Sequence, residues 1–312
     1  MAPFPSFTKT WHTSPTATIS PTRPELSLAG KTAVISGGGL GIGLAISTAL
    51  VEAGISKLAI LGRRVDVLNA AKANLLSKAG DKTEILIVSA DISNHEQVTS
   101  AFETIKNQFK QPLDLLISNA GYLGSPQPVG KETDEEWTRA MNVNIKGVYF
   151  LASAFVANAA SDAIIINVSS SIAHIGAFPG FTSYAATKLA GSKVMEYVQQ
   201  ENPKMRVVDM HPGQVRETEM AEKASARNHI GHVDDGEYNL YAVGMMIETI
   251  LIEISVAELA AHFAVWLASP EASFLKGKYT WCNWDVDELK ASAKEIESSS
   301  VLTIGLNDFA RY

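Results

Sequence analysis

Tyr184 and Lys188 are the residues whose types and spacing most directly suggest proton transfer. They stand four positions apart in "SYAATKLAG", so a helix would place both on one face. A phenol with a pKa of about 10 is a poor acid or base at neutral pH, and a nearby ammonium favours the phenolate and lowers that pKa. Ser170 closes the apolar run "AIIINVSS" fourteen residues before Tyr184 and could donate a hydrogen bond to a substrate carbonyl oxygen. The set predicts acid–base chemistry, although a Tyr-x-x-x-Lys pair alone is also common on solvated helix faces.

A second chemical signal is the glycine-rich stretch "ISGGGLGIG", residues 35–43, between the apolar run "KTAVIS" and the helically spaced "GLAISTALVEAG". At such a junction the free N–H groups and positive dipole end of a helix suit a pyrophosphate, and glycines let the backbone approach it. The stretch predicts dinucleotide binding, and a merely tight turn is the alternative. Its spacing, Gly37-x-x-x-Gly41-x-Gly43 with Ser36 in front, departs from the usual G-x-G-x-x-G.

The residues after the second predicted strand indicate which dinucleotide would bind. "KLAILG" ends at Gly62, where an acidic residue would hold the ribose 2′-hydroxyl of NAD, and Arg63 and Arg64 follow. Two guanidiniums could receive the 2′-phosphate of NADP, and no carboxylate stands there to repel it. We therefore predict NADP(H), with NAD the less favoured cofactor. The alternative is that the arginines form a solvated surface pair.

Alternating strands and helices must position these residues. Apolar runs predict strands at 31–36, 57–62, 84–91, 113–121, 163–170 and 205–213, and helical spacing predicts helices at 43–54, 65–80, 94–109, 134–160 and 183–201. Near-continuous apolar strands that alternate with helices are typical of a doubly wound parallel sheet. We predict one Rossmann-type α/β domain at 28–290, an irregular N-terminal extension at 1–27 and a loosely packed C-terminal tail at 291–312.

Composition narrows the function classes. A formal net charge of −7 over 312 residues argues against a protein that follows nucleic-acid phosphates. The single cysteine, Cys282, excludes an internal disulfide, and no Cys or His cluster has zinc-site spacing, so no metal is predicted. No secretory signal opens the chain, and four ionisable side chains interrupt its most apolar long stretch, 241–268. We expect a cytoplasmic protein that binds neither nucleic acid nor membrane.

The motifs, taken in order, resemble those of the short-chain dehydrogenase/reductase family from about residue 28 to residue 285. "SGGGLGIG" is similar to the family's T-G-x-x-x-G-x-G, with Ser36 in the Thr place. "SNAG" (118–121) is similar to N-N-A-G, "VNIKG" (143–147) to V-N-x-x-G, and "HPGQV" (211–215) to P-G-x-V, while "NVSS" and "YAATK" complete the order. "SFTKTWH", "PTRPELSLAGK", "FAVWLASPEA" and "FLKGKYTWCNWDVDELK" are similar to a fungal subset found in secondary metabolism.

The resemblance implies an NADP(H)-dependent oxidoreductase that interconverts a ketone and a secondary alcohol, in a biosynthetic pathway. Tyr184 would exchange the proton with the reacting oxygen, and Lys188 would lower the pKa of Tyr184 and hold the nicotinamide ribose. Ser170 would orient and polarise the reacting oxygen, and Asn144 would hold a water in the proton relay. A small carbonyl or alcohol compound would be the substrate. A non-redox or regulatory NADP-binding protein of the same fold is the alternative.

The resemblance also implies a set of cofactor contacts, in which two assignments stay open. Ser169 or Ser171 could replace Ser170, and Glu217 occupies the usual Thr position after P-G-x-V, so that Thr218 would act through a bulge. The expected contacts are Ser36, Gly37, Gly41, Ile42, Gly43, Arg63, Arg64, Asp91, Ile92, Asn119, Ala120, Gly121, Tyr184, Lys188, Pro212, Gly213, Val215 and Thr218. The family pairs subunits through the helices here at about 134–160 and 183–201, which implies a homodimer or homotetramer.

The segment 236–257, "GEYNLYAVGMMIETILIEISVA", falls within the family's substrate lid, expected at about 216–258. Without it, "HVDDELAAHFAVWLASPEA" reads as uninterrupted family sequence. Gly-Glu-Tyr can be encoded with a splice donor and Val-Ala-Glu with a splice acceptor. Two interpretations follow: a retained intron translated in frame, which would inactivate the chain by leaving it without a working lid, or a true lid helix with an apolar face.

Overall fold

A computed structural model describes residues 6–79, 82–215 and 255–305 of the chain. Its strands are β1 (Thr32–Ser36), β2 (Lys57–Gly62), β3 (Glu84–Ser89), β4 (Leu113–Ser118), β5 (Ala159–Val168), β6 (Arg206–His211) and β7 (Tyr279–Trp281). They form one parallel sheet in the order β3-β2-β1-β4-β5-β6-β7. Because the strand order reverses between β1 and β4, a crevice opens there at the carboxyl ends of the strands. The predicted Rossmann-type sheet is confirmed.

Helices cover both faces of this sheet. They are α1 (Gly41–Glu52), α2 (Val65–Ala79), α3 (His95–Phe109), α4 (Asp134–Met141), α5 (Val148–Val156), α6 (Thr182–Glu201), α7 (Ala257–Ala268), α8 (Val286–Ala291) and α9 (Ala293–Ser298). A π-helical turn, Asn142–Gly147, joins α4 to α5, so the single helix predicted over 134–160 is divided. The strand ends bring the motifs to one edge of the sheet, and the helices that follow present them.

Two apolar cores form, one on each face, because successive strand side chains point to opposite sides. In β1, Ile35 joins the core of α1 and α7, while its neighbour Val34 joins the core of α3, α5 and α6. Trp266 of α7 and Phe155 of α5 are fully buried on their respective faces. Burial of such large apolar side chains contributes about 1.5–3 kcal/mol each, which fixes the sheet as a rigid base for the crevice.

The N-terminal extension packs against the end of the chain. Residues 17–19 and 24–26 form short 3₁₀ turns. The His12 Nε2 atom lies 2.9 Å from the Asp285 carboxylate, and the Lys9 and Thr10 amides donate to Glu288 at 2.6 and 3.0 Å. These contacts hold residues 8–12 beside the residues that follow β7.

The C-terminal tail is better packed than its polar sequence predicted. Ile296 of α9 is fully buried, and the Lys278 ammonium donates to the carbonyls of Ser299 and Val301 at 2.7 and 3.0 Å. One apolar residue and these backbone acceptors dock residues 293–301 against β7.

Three expectations fall wholly or partly outside the residues that the structure describes. Thr218 lies outside the described residues, as do residues 216–254 of the expected lid and with them most of the segment 236–257. Within the described ranges, no helix has the length and apolar character needed to cross a membrane.

Candidate active site

The carboxyl ends of the central strands border a cavity of about 350 Å³ in the crevice. Most of the expected cofactor contacts line it: Gly37, Gly41, Ile42, Gly43, Arg63, Arg64, Asp91, Ile92, Asn119, Ala120, Gly121, Tyr184, Lys188 and Pro212. Ser36, Gly213 and Val215 lie nearby but do not line it. The expected cofactor residues therefore converge on one cavity at the strand-order reversal.

In the glycine loop, the backbone at Gly37 packs closely against the backbone at Gly43, at the start of α1. Gly37 has a φ of +68°, in the left-handed region, and a Cβ atom added to Gly43 would lie 2.1 Å from the Gly37 carbonyl oxygen. Leu40 precedes the helix and offers no side-chain acceptor for its first amide groups. Those amides are thus free to meet an anionic ligand, so the loop fits a dinucleotide pyrophosphate.

Ser36 fastens two strand ends rather than facing the cavity. It is fully buried, and its hydroxyl oxygen accepts hydrogen bonds from the amides of Asn119 and Ala120, both at 3.0 Å. Asn119 in turn donates through Nδ2 to the Ser36 carbonyl at 3.0 Å. The short polar side chain of Ser36 ties β1 to β4 and so positions the loop. The expectation that Ser36 contacts the cofactor stays a prediction.

Arg63 and Arg64 are exposed at the mouth of the cavity, where β2 ends. The Arg63 Nη1 atom lies 3.9 Å from the Asp91 carboxylate, whose other oxygen accepts bonds from the amide and hydroxyl of Ser93 at 2.9 and 2.7 Å. An exposed pair of this kind stabilises the fold by at most about 1 kcal/mol. Its consequence is positional, since the anchored Asp91 draws the Arg63 guanidinium towards the cavity.

The acid–base residues meet on the α6 side of the cavity. Tyr184 and Lys188 share one face of α6, and the Lys188 Nζ atom lies 5.8 Å from the Tyr184 ring centroid and donates to the Val168 carbonyl at 2.9 Å. A Cβ atom on Gly121 would lie 3.3 Å from Lys188 Nζ and 3.5 Å from Asn144 Oδ1, so a larger side chain would crowd both groups. The structure therefore brings these residues together.

Geometry distinguishes the three candidate serines. The Ser170 side chain lies near enough to Tyr184 to lower the pKa of that tyrosine, which favours its phenolate. Ser169 is buried, and its hydroxyl lies 3.1 Å from that of Ser192. Ser171 donates its backbone amide to His211 at 3.0 Å. Of the three, Ser170 is the one whose side chain acts on the proposed proton donor.

Burial controls the acid–base properties of Tyr184 and Lys188. It raises the pKa of Tyr184 to about 12, against the opposing effect of the Ser170 hydrogen bond. It also lowers the pKa of Lys188 to about 8. Desolvation of the phenolate is the larger effect on Tyr184. The expectation that Lys188 lowers the pKa of Tyr184 stays a prediction. Tyr184 is a protonated phenol at neutral pH.

Asn144 lies in the π-helical turn and is almost fully buried. Its Nδ2 group donates to the Tyr122 carbonyl at 2.8 Å and to the Thr187 hydroxyl at 3.0 Å, and its Oδ1 accepts the Tyr122 amide at 2.8 Å. Three of the four hydrogen-bonding positions of the side-chain amide are therefore used within the protein. The side chain joins the "SNAG" loop to α6, and its expected role in holding a relay water stays a prediction.

Side chains from β6 and β7 hold the Ser170 loop in place. The Tyr279 hydroxyl donates to the Ser170 carbonyl at 2.7 Å, and the Trp281 indole donates to His174 Nε2 at 2.9 Å. Burial lowers the pKa of His211 to about 3, so its ring is neutral and accepts the amide of Ser171. Aromatic side chains of β6 and β7 thus fix this loop, a role that their motifs did not predict.

Comparison with known proteins identifies the family. The family model for short chain dehydrogenase matches residues 31–229. The chain is a short-chain dehydrogenase/reductase. This dehydrogenase is 31% identical over 307 residues to a short chain dehydrogenase/reductase of Claviceps purpurea, covering 97% of this chain and 94% of that one. It is 32% identical over 281 residues to AacuD of Aspergillus aculeatus, covering 89% and 88%. Both relatives are fungal, as the sequence predicted.

Solved structures of the same fold accompany these relatives. A blue fluorescent protein from a metagenomic library, in complex with NADPH, is 26% identical with a TM-score of 0.67, covering 82% of this dehydrogenase and 97% of that chain. The alcohol dehydrogenase of Thermococcus sibiricus, in complex with 5-hydroxy-NADP, is 25% identical with a TM-score of 0.62, covering 76% and 89%. The dehydrogenase is thus an oxidoreductase that acts on CH–OH groups with a nicotinamide cofactor.

Several residues of the dehydrogenase that line the cavity were missed by sequence reasoning. Tyr122, Arg139 and Val143 belong to this group. The Arg139 guanidinium lies 4.5 Å from the Tyr122 ring centroid, and the Tyr122 hydroxyl donates to Glu136 at 2.5 Å. The available signal was their position, because Tyr122 directly follows "SNAG" and Val143 directly precedes Asn144.

Proposed function

We propose that this dehydrogenase is an NADP(H)-dependent oxidoreductase that interconverts a ketone and a secondary alcohol, in a biosynthetic pathway. The observation that carries the proposal is the placing of Tyr184 and Lys188 together on α6 beside a cavity whose far end presents Arg63 and Arg64. The biosynthetic role is supported by the resemblance to the fungal subset, and a cytoplasmic location remains a prediction from composition.

Tyr184 and Ser170 would act on the reacting oxygen. A phenol that stays protonated at neutral pH can donate a proton to a carbonyl oxygen, which favours the reductive direction there. The Ser170 hydroxyl would donate a second hydrogen bond to the same oxygen and polarise the carbonyl. The nicotinamide, when bound, supplies or accepts the hydride.

Lys188 would hold the ribose next to the nicotinamide. Its Nζ atom uses one donor on the Val168 carbonyl, which leaves two donors of the ammonium for ribose hydroxyls. Asn144 would support this group from the π-helical turn, with a relay water nearby. Both assignments are proposals from geometry and resemblance.

The preference for NADP(H) rests on charge at the end of β2. Gly62 places no carboxylate at the ribose 2′ position, and the guanidiniums of Arg63 and Arg64 stand at the cavity mouth. The 2′-phosphate of NADP would form charge-assisted hydrogen bonds with these guanidiniums, whereas the neutral 2′-hydroxyl of NAD would not. The NADPH and 5-hydroxy-NADP complexes of the similar structures support this preference.

Subunit pairing through α5 and α6 is part of the proposal. Tyr149 of α5 and Tyr197 of α6 are large apolar residues with 56% and 62% of their surface exposed. A face of this kind gains stability when a second copy covers it. We infer a homodimer or homotetramer, with a small carbonyl or alcohol compound as the substrate.

The test measures oxidation of NADPH and of NADH against a panel of ketones. We expect turnover with NADPH to exceed turnover with NADH, and we expect Arg63→Ala to raise the KM for NADPH about tenfold while leaving NADH unchanged. Lys294→Ala is the matched control, since it removes an exposed cation on α9, outside the cavity lining. An unchanged cofactor ratio in Arg63→Ala would refute the NADP argument. Cofactor binding without turnover of any carbonyl would favour the non-redox alternative.

A further inference from the structure

A second cavity, of about 460 Å³, lies behind the proposed active site and is called here the rear cavity. Residues of α6, β6, β7 and the C-terminal tail border it, including Ser192, Asp209 and Glu297. Asp209 stands in β6, within the otherwise apolar run "MRVVDM". A carboxyl group in the middle of a central strand is costly to bury, so its surroundings need an explanation.

Asp209 belongs to a chain of hydrogen bonds that joins the two cavities. Its Oδ1 atom accepts Asn167 Nδ2 at 2.6 Å and the Ser192 hydroxyl at 3.2 Å. The Ser192 hydroxyl lies 3.1 Å from that of Ser169, and Ser169 lines the cofactor cavity. The carboxyl is therefore held in place, with its position fixed relative to the residues that flank Ser170.

The same arrangement sets Asp209 beside Lys188. Ser192 follows Lys188 by one helical turn on α6, so both face the same strands. Asn167, which binds Asp209, directly precedes Val168, whose carbonyl accepts the Lys188 ammonium. Held on adjacent residues of β5, the buried Lys188 ammonium and the half-buried Asp209 carboxylate lie close enough for the charge of Asp209 to act on Lys188.

We propose that Asp209 is a positioning residue of the active site, whose carboxylate, reached by solvent through the rear cavity, keeps Lys188 in its ammonium form. This inference rests on the proposed function, in which Lys188 binds the ribose as a cation. The negative charge of Asp209 raises the pKa of Lys188 against the larger, opposite effect of burial. Without that charge, burial alone would act, and Lys188 would lose its proton at lower pH.

Asp209 itself titrates in the working range. Burial raises its pKa to about 7, against the opposing effects of Asn167, Ser192 and Lys188. Below that pH the carboxyl is neutral and cannot support the ammonium, and above it the carboxylate can. The effect on Lys188 therefore grows as pH rises through about 7.

The other titratable groups around Asp209 are paired, neutral or exposed. On α6, Lys193 and Glu196 form an ion pair at 2.5 Å, and the charge of Glu196 raises the pKa of Asp209 further. Beside β7, the Lys278 ammonium is bound by two tail carbonyls, and burial keeps Tyr279 protonated. On α9, Glu297 borders the rear cavity and is exposed.

The test follows NADPH affinity and kcat/KM for NADPH between about pH 6 and pH 10 in wild type and Asp209→Asn. An asparagine keeps the acceptor for Asn167 and removes only the charge. We expect the affinity for NADPH to fall at alkaline pH as Lys188 loses its proton. In Asp209→Asn this alkaline limb of the pH profile should lie about one pH unit lower. Affinity near pH 8 should then fall five- to tenfold and stay unchanged near pH 6. Lys188→Met should abolish the limb.

Two further variants separate charge from packing. Glu297→Gln removes a carboxylate from the same cavity and should leave the limb in place. Ser192→Ala removes a hydrogen bond but keeps the charge, so its shift should be much smaller than that of Asp209→Asn. A shift in Ser192→Ala or in Glu297→Gln as large as that in Asp209→Asn, or no shift in Asp209→Asn, would overturn the inference. Wild type that binds no NADPH would instead refute the proposed function, which keeps the two failures distinct.

Discussion

The substitution Gly43→Ala tests whether close backbone approach in the glycine loop is what binds the cofactor. A new Cβ atom would lie 2.1 Å from the Gly37 carbonyl oxygen, whereas real Cβ contacts begin near 3.0 Å, so the loop must move by about 0.9 Å. A displacement of that size lengthens a 2.9 Å hydrogen bond beyond its useful range. Losing one or two charge-assisted bonds to the pyrophosphate costs about 1.5–3 kcal/mol, which raises the Kd for NADPH about ten- to hundredfold.

The assay is a fluorescence titration with NADPH, accompanied by thermal unfolding. Alanine is favoured over glycine inside a helix by up to about 1 kcal/mol, so α1 and the fold should persist. Gly176→Ala is the matched control, since its new Cβ atom would meet no atom within 4 Å and Gly176 does not line the cofactor cavity. Wild-type affinity in a folded Gly43→Ala variant would refute the role given to this loop.

Four further substitutions test the groups around the Ser170 loop. Ser170→Ala should lower kcat at least a hundredfold and leave the affinity for NADPH unchanged. Ser169→Ala should lower kcat much less. Steady-state kinetics of both variants check the choice of serine, and a larger loss of kcat in Ser169→Ala would show it to be wrong. Tyr279→Phe leaves the Ser170 carbonyl without its donor and should cost about 1–3 kcal/mol in urea unfolding, with a fall in kcat rather than in NADPH affinity. His211 has a folded pKa of about 3 against an unfolded value of 6.5, so the unfolded chain takes up the proton first and stability falls as pH drops from 6.5 towards 3. His211→Asn keeps an acceptor for the amide of Ser171 and should remove about 2–3 kcal/mol of this loss of stability near pH 4. If the free energy of unfolding in urea falls equally with pH in wild type and His211→Asn, the neutral buried His211 is contradicted.

Parallel strands were predictable because burial on both faces demands continuous apolar runs. β1 and β2 therefore lie where the sequence predicts them, within a residue. β7 was missed because Tyr279–Trp281 is only three residues long and pairs through contacts distant in sequence. β5 begins at Ala159 rather than at residue 163. Its start was missed because Ser161 and Asp162 are polar and interrupt the apolar run.

The π-helical turn around Asn144 could not be read from local pattern. "VNIKG" is compatible with an ordinary helix, and the widened turn accompanies contacts of Asn144 with Tyr122 and Thr187, residues 22 and 43 positions away. Tertiary contacts of this kind override local propensity.

The residue types of the candidate site were predictable, but their electrostatics were not. Tyr184, Lys188 and Ser170 follow from their motifs, whereas the sign of the Tyr184 pKa change depends on how completely the fold removes water from the ring. Asp209 left a signal that sequence reasoning did not use, namely a carboxyl inside an apolar strand. Its partners on β5 and α6 become visible only when the sheet brings them together.

Tyr184→Phe tests the central claim most directly. The variant removes one hydroxyl at the proposed point of proton transfer and preserves the ring that packs in α6. The account predicts that ketone reduction with NADPH falls by at least about a hundredfold while the Kd for NADPH changes less than about threefold. Turnover equal to wild type in Tyr184→Phe would contradict it.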